Sequence, residues 1–110
     1  MKTLKNKKTK INIINVDGKP IEGAKYNEII ELCVNQPSIN SQTGQAIGFS
    51  IEEIRKRLRL IECLKHPNNG QIEMEDADYQ LLYECVIAYK WNKAEQSIVD
   101  FVDDVVKANQ

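Results

Sequence analysis

Between Asp76 and Trp91 apolar residues go almost all the way round a helix: Tyr79, Leu81, Leu82, Tyr83, Cys85, Val86, Ile87, Ala88 and Tyr89 leave only a narrow Gln80/Glu84 stripe for water. A helix of this kind is stable only where neighbours cover it on several sides. Two amphipathic segments flank it, which predicts an α+β, mainly helical fold: three to four helices around this central buried helix, with a small two- or three-stranded sheet. At 110 residues the chain fits one domain with a core of its own. Residues 11–110 are read as that domain, and residues 1–10, with Lys2, Lys5, Lys7, Lys8 and Lys10, as a flexible basic arm.

The remaining elements follow from local chemistry. Ile11–Val16 is β-branched and runs into Asp17-Gly18, a tight-turn pair, while Pro20 confines the return segment to a brief edge strand. Tyr26, Ile29, Ile30 and Cys33 recur at helical spacing and predict a short helix ending before Pro37. Gln36–Gly48 reads as a long polar loop, followed by Ser50-Ile-Glu-Glu53, a capping box that starts a second helix at Ile51.

That second helix carries Ile51, Ile54, Leu58 and Ile61 on one side, extended by Leu60 and Leu64, and stops at His66-Pro67-Asn68-Asn69-Gly70. Ile72 and Met74 alternate with polar residues, so they predict a strand paired with Ile11–Val16. The last helix is expected from near Asn92, with Ala94, Ile98, Phe101, Val105 and Ala108 on one stripe and Val99, Val102 and Val106 on a shoulder beside it.

Composition narrows the function classes. Fifteen basic and sixteen acidic residues nearly cancel, so no global field steers the molecule to nucleic acid or to a membrane. The N-terminal lysines are followed by no apolar run of signal-peptide length, and no stretch reaches the roughly 20 apolar residues of a membrane span. A cytoplasmic location follows as an expectation. Cys33, Cys63 and Cys85 lie apart in helical, apolar surroundings and read as reduced, buried thiols; with neither CxxC nor HxxxH, no metal or other cofactor is expected.

The order of features has a counterpart: a strand into Val16-Asp17-Gly18-Lys19-Pro20-Ile21, then Gly48-Phe49-Ser50-Ile51-Glu52-Glu53 opening an Arg-rich helix. Gly70-Gln71-Ile72-Glu73-Met74-Glu75-Asp76-Ala77-Asp78 follows, before a helix that ends near an aromatic residue. Over about residues 11–108 this resembles a family of small, mostly uncharacterised proteins of tailed bacteriophages and prophages. The resemblance implies a phage setting, in the host cell or in a virion, and transfers no catalytic residues. Small proteins of that setting commonly bind other proteins, as virion parts or as modulators of host machinery.

Each candidate residue also has a structural role open to it. Arg55-Lys-Arg-Leu-Arg59 is conspicuous, yet Glu52/Lys56, Glu53/Arg57 and Arg59/Glu62 are favourable helix pairs, and the Arg57 stem is expected along the core edge. His66 suits the negative end of a helix dipole better than a catalytic base, because no nucleophile accompanies it. Glu73, Glu75, Asp76 and Asp78 lack the glycine and glutamate of a calcium loop and serve as helix-start residues. Tyr89, Trp91, Val99, Val102 and Val106 are the protein-interface candidates, since aromatics and an over-wide apolar stripe suit a contact surface.

These readings lead to a non-enzymatic protein–protein interaction module that uses the final helix or the 36–48 loop and self-associates. The alternative is a nucleic-acid-binding accessory protein working through Lys2, Lys5, Lys7, Lys8 and Lys10 with the Arg55/Arg59 face.

Overall fold

Residues 2–36, 38–39, 46–91 and 93–108 are described by a computed structural model. In chain order the elements are β1 (Lys2–Lys5), β2 (Ile13–Ile14), β3 (Pro20–Ile21), α1 (Tyr26–Val34), β4 (Ser38–Ile39), β5 (Ala46–Gly48), α2 (Ile51–Lys65), β6 (Gln71–Met74), α3 (Asp76–Ala88) and α4 (Gln96–Lys107). The α+β, mainly helical architecture is as the periodicities imply. Its strands pair as three separate antiparallel ribbons, β1 with β6, β2 with β3 and β4 with β5.

Shortest of the helices, α1 is also the best covered, with Tyr26, Ile29, Ile30, Cys33 and Val34 buried between α2 and α3. The helix that packs on α1, α2 and α4 alike is α3, the central place its sequence implies. Although α3 is apolar nearly all round, only Asp78, Tyr79, Leu82, Cys85 and Val86 are buried, and Ile87 is 53% exposed. Apolarity shows that a helix tolerates cover, but cover needs a neighbour. From α2 come Leu60, Ile61 and Leu64, from β6 Ile72 and Met74, and from α4 Ile98, Phe101 and Val105. Each fully buried side chain of this size contributes about 1.5–3 kcal/mol of apolar transfer free energy.

The strand that pairs with β6 is β1, not Ile11–Val16. Leu4 faces Ile72 across the ribbon and Lys2 faces Met74, which turns Leu4 into the core and lays the Lys2 ammonium 5.8 Å from the Tyr79 ring centroid. Residues 2–10 are thus part of the fold rather than a flexible arm. The Asn6 side chain accepts from the Asn27 amide at 2.9 Å and the Lys7 carbonyl from the Tyr26 amide at 3.0 Å, satisfying donors at the open end of α1. Thr9 completes the seam, donating its hydroxyl to the Ala24 carbonyl at 2.7 Å. Lys-Thr-Leu-Lys holds one apolar residue, too few to register as a strand from alternation alone.

Local boundaries also differ from the reading above. α3 ends at Ala88, where Tyr89 turns extended, so Trp91 lies beyond it, and α4 starts at Gln96. Asn92 lies outside the described residues, as do Pro37 and 40–45 of the long loop, whose flanks pair as β4 and β5. Ser50 accepts from the Glu53 amide at 3.2 Å, as its capping pattern implies.

Candidate functional site

The Asp17-Gly18 turn builds one wall of a cleft. Asn15 Oδ1 accepts from the amides of Asp17 and Lys19 at 3.0 and 2.9 Å, and Gly18 sits at φ 81°, where a side chain would be strained. This closes β2 on β3 with Ile13 opposite Ile21 and Ile14 opposite Pro20. Ile13 and Ile21 pack on the core, whereas Ile14 is 64% exposed.

The opposite wall is aromatic. Once α3 ends, Tyr89 and Trp91 meet edge to face with centroids 4.7 Å apart, and Trp91 meets Phe101 of α4 at 6.1 Å. Phe101 continues to Tyr26 at 5.0 Å, and the Tyr26 hydroxyl donates to Asp104 Oδ2 at 2.5 Å. Such edge contacts contribute about 0.5–1.5 kcal/mol each beyond their buried area. The walls enclose a cleft of about 480 Å³, lined on its apolar side by Ile13, Ile14, Ile21, Leu32, Tyr89 and Trp91, with Glu22, Lys93 and Glu95 among its polar residues.

The five interface candidates therefore separate. Tyr89 and Trp91 come together in the cleft, half-buried and packed against the core. Val99 is half exposed on the outside of α4, with Val102 and Val106 half-buried on the same flank. The sequence places Ile21 on the return strand of the hairpin, as found, but misses that Ile13, Ile14 and Ile21 face Tyr89 and Trp91, because a strand pattern does not say what lies opposite it. It also missed the exposure of Ile51, Ile54 and Leu58, at 64%, 37% and 58%.

The basic candidates are dispersed over several partners. Lys7 is paired with Asp104 at 3.2 Å, and Arg59 Nε with the buried Asp78 at 3.0 Å. Lys2 lies over Tyr79, while Lys5, Lys8, Lys10 and Arg55 are exposed. Arg57 goes deeper than the core edge: Nη1 donates to the Val34 carbonyl at 2.6 Å and to Cys85 Sγ at 3.1 Å, under the Phe49 ring. Its buried Nε has no hydrogen-bond partner among the described residues.

The thiols are poor nucleophiles. Burial, and secondarily the neighbouring Cys85, pushes the Cys33 thiol up to about 12. Burial also raises Cys63 and Cys85, the latter against the opposing pull of Arg57; Cys63 is only half-buried, a correction to its expected place in the interior. His66 Nε2 meets Glu62 Oε1 at 3.0 Å on the surface of α2. Among the described residues no group of three or more His, Cys, Asp or Glu side chains is placed to hold a metal ion, and no helix is long and apolar enough to cross a membrane. No family model, no curated protein and no solved structure matches this chain.

Proposed function

We propose that this chain is a non-enzymatic protein–protein interaction module of phage or prophage setting, working as a virion component or as a modulator of host machinery inside the host cell. Its cleft between the β2–β3 hairpin and the Tyr89–Trp91 pair receives apolar side chains of a protein partner. The observation that carries this reading is the cleft's lining: isoleucines, a leucine and two aromatics converge on it, with Glu22, Lys93 and Glu95 among its polar residues. Aromatic anchors in a desolvated pocket with a polar rim are what give protein contacts their affinity. The phage setting rests on the order of motifs over residues 11–108.

A photo-crosslinking residue at position 14, which is exposed on the cleft's rim, tests the proposal in cells that carry the gene in its natural context. A discrete adduct is expected, and it should vanish when Trp91 is replaced by alanine in a protein that stays folded. Cross-linking at position 14 no stronger than at the exposed position Gln80, which is not among the cleft's lining residues, overturns the cleft as the contact site.

A further inference from the structure

We infer that the cleft's partner enters as an extended strand pairing with the open edge of β2, with an apolar residue opposite Ile13 and a basic residue next to it. This rests on the proposal that the cleft binds a protein, and it specifies how that protein is held.

The donor inventory of the hairpin identifies the edge. Pro20 has no N–H, so of the two pairs in the β2–β3 ladder only Ile13 and Ile21 can exchange both main-chain hydrogen bonds. Exchange alternates along a strand, and the N–H and C=O groups of Asn12 and Ile14 therefore point away from β3. Neither main chain finds a hydrogen-bond partner elsewhere among the described residues. Asn12, Ile14 and Val16 are all exposed.

Other strand edges carry the devices that keep edges from pairing. The outward main chain of β3 is that of Pro20, β1 carries Lys2 and Lys5, and β6 carries Glu73. Ile11–Val16 holds neither a proline nor a charge. An edge of free amides and carbonyls selects extended backbone, because a helix uses its own main-chain groups internally.

The side chains of the added strand follow from register. A residue opposite Ile13 shares the face of Ile13, which lines the cleft with Tyr89 and Trp91, so that residue is apolar. Its neighbour, opposite Asn12, lies on the other face. Continuing the Ile13–Ile21 register sets Glu22 across from Asn12, so Glu22, Asn12 and the incoming neighbour form a row across the sheet. Strands stand about 4.8 Å apart, which leaves Glu22 within reach of a lysine or arginine two strands away. Glu22 is exposed and makes no ion pair among the described residues, whereas Lys93 and Glu95 already meet at 4.0 Å. The uncompensated charge on the rim is thus negative, and it selects a cation.

A library of random short peptides selected against the full chain tests the inference, with the tightest sequence resynthesised as the probe. Selected peptides are expected to carry a basic residue next to an apolar one. The probe should slow hydrogen exchange at the Asn12 and Ile14 amides, followed by NMR, at least about tenfold. Methylating one alternate set of its main-chain nitrogens should weaken binding about tenfold, and methylating the other set far less. Glu22→Lys, at an exposed position, should weaken it several-fold without disturbing the fold. No enrichment, a bound probe that leaves both amides exchanging freely, or equal binding to the Glu22→Lys variant overturns the inference. A probe that fails these tests yet still blocks the adduct at position 14 removes the strand and keeps the cleft; the absence of that adduct removes the cleft itself.

Discussion

The two halves of α2 share one helical periodicity and meet opposite fates. In the second half Leu60, Ile61 and Leu64 are buried against α1, α3 and β6, and in the first half Ile51, Ile54 and Leu58 face solvent. Arg57 marks the boundary, its guanidinium tied to α1 through the Val34 carbonyl and to α3 through Cys85. The difference teaches that an apolar stripe reports only a demand for cover. Where the chain's own elements end, the same stripe becomes a surface that a second molecule can use.

The largest way to break this comparison is to truncate its buried side. Leu60→Ala or Leu64→Ala is expected to cost about 2–5 kcal/mol, because each leaves a cavity in a packed interior. Urea denaturation followed by circular dichroism measures it; equal losses for Leu58→Ala would erase the distinction between the halves.

Next comes the boundary itself. Arg57→Ala removes the donor to the buried Val34 carbonyl and the face that packs on Phe49, and should destabilise by about 1–3 kcal/mol. Arg57→Lys should recover little, since an ammonium lacks the planar face that packs on the Phe49 ring. Full recovery in the same denaturation experiment would mean that the contacts matter less than the charge.

A smaller effect separates buried from exposed groups by pH. The hydrogen bond from Tyr26, with help from Lys7, holds the Asp104 carboxyl below its ordinary value. A lowered folded-state value favours the fold above the ordinary carboxylate range and loses that support as pH falls through it. Tyr26→Phe should therefore flatten the acid limb of stability. Cys33 works in the other direction: its raised value, about 12, supports the fold below the ordinary thiol value near 8.5, and the support fades as pH rises above it. Cys33→Ala, compared with the native chain at pH 7 and 10, should show a weaker pH dependence, whatever its overall cost.

The smallest expected effect sharpens the comparison most. Leu58→Gln on the exposed half should shift monomer stability by no more than about 0.5 kcal/mol. A large loss of monomer stability would mean that Leu58 is already covered within the chain.

Much of this fold was legible from local chemistry. The Ser50 cap, the Asp17-Gly18 turn, the stop at Pro67 to Gly70 and the core stripe of α4 are decided by residues within a few positions of one another, as caps, turns and helical faces are. The interface candidates were half legible. Tyr89 and Trp91 announced themselves as aromatics at a helix junction, but their cleft needs Ile13, Ile14 and Ile21 from a hairpin far away in sequence. Residues 2–5 were read as part of an arm because a strand with one apolar residue has no signal until its partner is known.

By itself the sequence determined which residues share a face, where helices begin and stop, and that the thiols and the lone histidine have no catalytic company nearby in the chain. Only the tertiary structure decided which faces are covered: α1 all round and α3 only in part, β1 rather than β2 beside β6, and the first half of α2 left open. The reason is physical. Periodicity is set by backbone geometry over a few residues, whereas cover and strand pairing depend on which distant segments win a competition for the same buried surface.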